Sequence, residues 1–389
     1  MTTTINNEHK KLNVPNLRFK EFEGEWEKCK LSEICTFFSG GTPSSSNKDF
    51  YGGNIAFIRS GELHADSTEL FITQAGFDSS SAKMVEIGDL LLAMYGATSG
   101  DIAVSKIKGA INQAILCIRT KQNKKFIESV WNKHVSKNLR KYLQGGQGNL
   151  SADIVKGISF FFPTLKEQEK IANLVSLLDE RIATQNKIIE DLKKLKCAII
   201  EKLYSKIQGK EYSYGQLFDV VNERNKQMEY YNILSASQEK GMVNRDDLNL
   251  DIQFERSNIN TYKIVRKGDY VIHLRSFQGG FAFSDKLGVC SPAYTILRPN
   301  SLLEYSYLSY YFTSQRFIKS LIIVTYGIRD GRSINVEEWL NMKVVIPSKE
   351  HQLHTLNVLK RIDDKVENEE KYATCLSNQK QYLLRQMFI

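Results

Sequence analysis

Phe162-Pro163-Thr164-Leu165-Lys166-Glu167-Gln168 leads into a long helix-like run, and Ile346-Pro347-Ser348-Lys349-Glu350-His351-Gln352 leads into another. A shift of 184 positions carries Pro163 onto Pro347 and holds without a gap to the end of the repeat. It places Gln168 on Gln352, Leu178 on Ile362, Asp179 on Asp363, Arg181 on Lys365, Leu192 on Leu376 and Lys196 on Lys380. An internal repeat decides the architecture before any single element does.

Beyond the first junction the apolar positions run Ile171, Leu174, Leu178, Ile182, Ile188, Leu192, Leu195, Ile199 and Leu203, interrupted by Gln185. This alternation of three and four is the seam of a coiled coil. Leu359, Ile362, Val366, Ala373, Leu376, Leu383 and Met387 continue it in the second copy. About 40 residues at a rise of about 1.5 Å make each run a rod of roughly 60 Å. A seam this narrow suits a helix partner, and the chain supplies one. The first rod hands over to a second globular half at its far end, so the two rods can lie antiparallel about a pseudo-twofold axis.

Upstream of each rod, strand-length apolar runs alternate with turn residues. In the first half these are Asn54–Ile58, Asp89–Tyr95, Ala114–Ile118 and Ile158–Phe162, with one helix between Lys124 and Leu143. The plan recurs from about Tyr212: Gly268-Asp269 opens a strand as Gly88-Asp89 does, Gly288–Arg298 parallels Gly109–Arg119, and a helix is expected at Tyr305–Leu321. The segments are a polar lead-in at 1–20, a globular domain at 21–165, a helix at 166–207, a second domain at 208–349 and a second helix at 350–389. The fold expected is α+β: two similar mostly-β domains, each followed by a long helix, the helices packed as an antiparallel coiled coil with pseudo-twofold symmetry.

The chain has 389 residues, 42% hydrophobic and 25% charged, with a formal net charge of +9. A basic balance favours a polyanion or an acidic surface as partner. Six scattered cysteines without a CxxC pair suit reduced thiols in a cytoplasm. No apolar signal core opens the chain, and no stretch of about 18 apolar residues suggests a membrane span. There is no P-loop, so no phosphate cradle for ATP. Gly145-Gly146-Gln147-Gly148 is flanked by polar residues and reads as a turn. His351 and His354 lack further zinc ligands nearby in sequence. No residue is marked as a nucleophile, and no Asn-Pro-Pro-aromatic stretch of the amino-methyltransferase kind is present.

The ordered set of local features resembles the specificity subunit of type I restriction-modification systems, over nearly the whole length. Carrying the resemblance are Trp26-Glu27-Lys28 through Leu31–Ile34, Gly40-Gly41-Thr42-Pro43-Ser44, Tyr51–Leu63, Gly88-Asp89 through Tyr95–Gly100, and Asn112-Gln113. Ser291-Pro292-Ala293-Tyr294, Gly327-Ile328-Arg329 and the Pro163–Gln168 junction, with Ile171 and Leu178-Asp179 beyond it, complete the set. The resemblance implies a non-catalytic subunit whose two target-recognition domains each read half of a bipartite double-stranded DNA target. It implies spacer helices that set the gap and dock two methyltransferase subunits, with motor-nuclease restriction subunits joining them. S-adenosylmethionine, ATP and magnesium then serve those partners, and no cofactor or metal is bound by this chain. The alternatives are a stand-alone enzyme acting on DNA and a coiled-coil adaptor without sequence-specific binding.

Readout of base edges calls for Arg, Asn, Gln and hydroxyl side chains on loops that can approach a groove. In the first half the candidates are Ser44, Ser45, Ser46, Asn47, Lys48, Arg59, Tyr95, Thr98, Gln113, Gln144, Gln147 and Asn149. In the second they are Ser235, Ser237, Gln238, Arg275, Ser276, Gln278, Tyr294, Tyr326, Arg329 and Arg332. Arg329 and Arg332 rank first because they flank Asp330-Gly331 in one short stretch. Lys133, Lys137 and Lys319 are expected on phosphates.

Overall fold

The computed structural model describes residues 12–142, 150–237, 240–247, 256–273, 280–326 and 333–389. The chain divides into two compact units, residues 1–185 with 372–389, and residues 186–371. The division falls inside the two long helices, Leu165–Ser205 and Lys349–Met387. Each unit therefore holds one globular half together with a piece of both helices.

The first unit is built on a four-stranded antiparallel sheet in which Ile115–Thr120 lies between Cys35–Ser39 and Leu90–Ala93, with Ile102–Val104 at the edge. The second repeats it: Thr295–Pro299 lies between Phe218–Val221 and Tyr270–Ile272, with Phe281–Phe283 at the edge. Strand and helix meet through a short ladder in each copy, Glu27–Lys30 on Ser159–Phe162 and Lys210–Ser213 on Lys343–Ile346. The paired Gly-Asp steps are braces. Gly88 and Gly268 take φ of +89° and +99°, a region that favours glycine. The following Asp89 accepts from the Glu86 amide and from Arg119, at 2.7 Å to Nη2. Asp269 does the same with the Arg266 amide and Arg298.

The junctions explain their own repetition. Gln168 and Gln352 are both 1% exposed. Each donates its amide to the carbonyl of the junction proline, Pro163 at 2.9 Å and Pro347 at 3.1 Å. Each accepts a backbone N–H from the segment leading into the domain's helical layer, Asn123 in one unit and Glu304 in the other. A buried amide satisfied on both ends fixes the angle at which the helix leaves the sheet.

The antiparallel pairing of the helices is visible within each unit. In the first, Asp179 of the first helix pairs with Lys380 of the second; in the second, Lys196 of the first pairs with Asp363 of the second. These are the residues that the repeat superposes, Asp179 on Asp363 and Lys196 on Lys380, so one ion pair occurs twice with the helices exchanging roles. The end of each helix also enters a core. Met387 and Phe388 pack with Trp26, Phe126 and Ile171 in the first unit. Ile200 and Tyr204 pack with Tyr214, Tyr307 and Trp339 in the second. The repeat superposes Tyr204 on Phe388. Lys133, expected on phosphate, donates instead to the carbonyl of Phe388.

Two expectations change, and the lead-in gains a role. Ile188 and Leu195 stand outside the seam, 42% and 52% exposed. A straight helix turns every 3.6 residues and drifts off a strict heptad; Gln185, Ile189 and Leu192 face inward instead. The expected helix at Tyr305–Leu321 is broken into Tyr307–Tyr311, Gln315–Ser320 and a 3-10 turn at Leu321–Val324. Ser314 makes the break, its hydroxyl capping the second piece at the Phe317 amide. Finally, residues 12–20 of the polar lead-in pack as a strap. Arg18 grips the buried Glu167 carboxylate through two nitrogens at 2.8 Å each, the Trp26 indole donates to the same carboxylate, and the Leu17 amide reaches the Gln386 carbonyl.

The Asp179 cluster makes the helix pairing acid-sensitive. Burial pushes its carboxyl up, but Lys380 and Lys125 together hold it below the usual carboxylate range. A depressed folded-state pKa adds stability that is present above the unfolded value of about 3.9 and lost as pH falls through the folded one. Asp179→Asn is expected to flatten the loss of stability below about pH 5, measured as the denaturant midpoint against pH; an unchanged slope would remove Asp179 from the acid transition.

Candidate nucleic-acid interface

Sheet register gathers the candidate loops. In the first unit Ser39 pairs with Leu116 and Ala93 with Ile115. The chain leaving Ser39, the chain leaving Ala93 and the chain entering Ile115 therefore share one end of the sheet. Ile58 runs parallel to Ile111, which adds Arg59 to that rim. The loops are tied across it. The Gly41 amide donates to the Ile111 carbonyl, the Thr42 hydroxyl to Gln113 Oε1, and the Met94 amide to the Ala114 carbonyl. His64 Nε2 lies 2.9 Å from Asp101 Oδ1. A Cβ on Gly40 would fall 1.7 Å from the Ile111 carbonyl oxygen, so only glycine lets these backbones approach.

On this rim Ser44, Ser45, Ser46 and Lys48 are exposed, and the Ser44 and Ser46 hydroxyls share a 2.7 Å hydrogen bond. Asn47 is half-buried and caps the turn Lys48–Phe50 by accepting from the Asp49 amide. Tyr95 is 39% exposed, Thr98 half-buried and Gln113 exposed. Arg59 is engaged locally, its guanidinium 2.7 Å from Glu62, which it holds below the usual carboxylate range. The segment resuming at Leu150 joins the rim through its amide on the Met94 carbonyl. Gln144, Gln147 and Asn149 lie outside the described residues. Thr42, His64 and Asp101, which close the rim, escaped the sequence reading. No local pattern marks a His and an Asp 37 positions apart.

The second unit repeats the geometry. Val221 pairs with Ile296 and Ile272 with Thr295, so the chain after Val221, the chain after Ile272 and the chain before Thr295 emerge together. Tyr294 is half-buried there. Its carbonyl accepts from Lys263 Nζ at 2.7 Å, its ring lies 6.1 Å from that of His273, and burial pushes its phenol up. Burial pushes the His273 imidazole down, which favours a neutral ring that can both donate and accept. Ser235 and Ser237 are half-buried on the strand Leu234–Ser237, which pairs with Gly241–Asn244. Tyr326 closes the short strand Thr325–Tyr326. Gln238, Arg275, Ser276, Gln278, Arg329 and Arg332 lie outside the described residues.

Hydroxyls, amides and neutral rings on two glycine-punctuated rims can hydrogen-bond to base edges. Among the described residues no group of three or more His, Cys, Asp or Glu could hold a metal ion. No helix among them is long and apolar enough to cross a membrane.

A family model described as the type I restriction modification DNA specificity domain matches residues 23–194. The chain is 23% identical to the type I restriction enzyme MjaVIII specificity subunit of Methanocaldococcus jannaschii, over 91% of each protein. It is 29% identical to the EcoR124I/EcoR124II specificity subunit of Escherichia coli over 45% of each. Among solved structures it is similar to the S subunit of a type I restriction-modification system from M. genitalium, with a TM-score of 0.56 and 15% identity over 97% of this chain and 99% of that one. A chain from a structure of the type I R-M system gives 0.60 and 15% over 92% and 96%.

Proposed function

We propose that this chain is a specificity subunit of the type I restriction-modification family, which its matches favour, and that it reads a bipartite DNA target, one half at each of its two rims. It is a recognition subunit without catalysis of its own. The observation that carries the bipartite reading is the duplicated construction: the same sheet end, with the chain leaving it at matching strands, attached to the same exchanged Asp–Lys pair of helices. A reader built twice on a stiff connector suits two short words separated by a fixed gap. The excess of basic residues suits a phosphate backbone.

The long helices are the proposed docking surface for two methyltransferase subunits, with restriction subunits joining them. Leu177, Ile188 and Leu195 stand exposed on the first helix, at 63%, 42% and 52%. S-adenosylmethionine, ATP and magnesium are assigned to those partners. We place the assembly in the cytoplasm, on the unpaired cysteines.

The test is co-expression with a methyltransferase partner followed by methylome sequencing, with and without this chain. A bipartite methylated motif that appears only with the chain is the expected result; methylation independent of the chain would refute the reading. In the same assay Arg329→Ala is expected to relax base choice in one half of the motif, at a cost of about 1–3 kcal/mol in discrimination. Uniform weakening across all sequences would mean that Arg329 touches phosphate.

A further inference from the structure

The loop leaving the first strand of the sheet is polar in the first unit, where Ser44, Ser45, Ser46 and Asn47 occupy it. Its counterpart in the second unit, between Val221 and the strand Leu234–Ser237, has another chemistry. It presents Met228 at 45% exposure and Tyr231 at 70%. The loop starts at the reading rim: Val221 pairs with Ile296 just beyond Tyr294, and Arg224 forms a β-bridge with Lys263, whose ammonium donates to the Tyr294 carbonyl. The presentation is built. Asn225 is 2% exposed and clasps the loop from within, donating Nδ2 to the Tyr230 carbonyl at 2.7 Å and accepting the Tyr230 amide at Oδ1. Its own amide donates to the Tyr262 carbonyl. Met228 is held at φ +54°, a conformation in which a side chain is disfavoured and glycine is the relaxed choice. Holding a long apolar side chain there points to a use for it.

We propose that Met228 and Tyr231 are specificity-determining residues that read an A·T pair in the target half of the second unit, by apolar contact with the thymine methyl. The inference rests on the DNA-reading function above. DNA is the occupant that the surroundings favour. The loop springs from the rim and carries Arg224 and Lys226, with Lys263 bridged to Arg224, while Glu223 is paired with Arg266 and Glu229 is the other acid of the loop. The thymine methyl is the apolar group that a base-pair edge offers in the major groove. The two halves of the target are then read by different means, hydroxyls and an amide at one end and a methyl-sensing pair at the other.

The experiment uses the full chain in complex with its methyltransferase partner and duplexes carrying the methylated motif. Each thymine is replaced in turn by deoxyuridine, which deletes only the methyl group. One replacement, confined to one half-site, is expected to weaken binding about fourfold, the effect of one buried methyl. Met228→Ala and Tyr231→Ala should each weaken the native duplex about tenfold and abolish the deoxyuridine effect, leaving the other half-site's preferences intact. Both side chains point outward, so an unchanged melting temperature verifies the fold. The proposal is overturned if no thymine is methyl-sensitive, or if the variants keep the native preference or weaken all duplexes alike. Absence of any bipartite motif with the unsubstituted chain is a separate outcome, which removes the DNA-reading function and the proposal with it.

Discussion

Matched insertions of seven residues in the two long helices, one between Asp179 and Lys196 and one between Asp363 and Lys380, are expected to abolish methylation of the native motif and create a motif with the same two halves and a gap about three base pairs longer. Seven residues add two turns and about 10.5 Å, against about 3.4 Å per base pair. Whole turns restore the facing of each helix, so the Asp179–Lys380 and Lys196–Asp363 pairs can re-form within their units. Methylome sequencing reads the outcome. A motif whose gap is unchanged would show that something other than the helices sets the separation. Insertions of five residues turn the faces away from each other and are expected to yield no methylated motif.

The second large effect is on stability. Phe388 is 3% exposed, with its ring centroid 5.2 Å from that of Phe126 and 6.5 Å from that of Trp26. Truncation leaves a cavity lined by aromatic rings, so Phe388→Ala is expected to cost about 3–5 kcal/mol. The cost should fall on the first unit. Its counterpart Tyr204 is 6% exposed and also donates its hydroxyl to the Tyr307 carbonyl. Tyr204→Ala should therefore destabilise the second unit by a similar amount plus the lost hydrogen bond. Hydrogen exchange resolved by peptide distinguishes the two. Equal loss of protection in both units for either variant would show that the helix ends do not belong to separate cores.

The architecture was legible in the sequence because it is written twice. The Pro-to-Gln junction, the Gly-Asp step and the seam each recur, and recurrence separates a structural demand from chance. The site was less legible. Ser44, Tyr95 and Gln113 could be named from residue type and flanking glycines, but their convergence comes from the pairing of Ser39 with Leu116 and Ala93 with Ile115. Pairing over such separations leaves no local trace. Closure of the rim by Thr42 and by His64 with Asp101 was hidden for the same reason. The helix broken at Ser314 misled because its apolar spacing survives the break, while one hydroxyl redirects the backbone. Met228 and Tyr231 carry no sequence signal, because an apolar residue in a polar loop reads as core, and only the fold leaves them exposed.

The seating of Met387 and Phe388 among Trp26, Phe126 and Ile171 has a consequence for biosynthesis. The strands of the first unit leave the ribosome early, yet Met387 and Phe388, which close their interior, are translated only after the whole of the second unit. The half that is made first is completed last. Until then its aromatic floor is open to water and to other nascent chains, which makes the interval before the final turn of the second helix the aggregation-prone step in production of this protein.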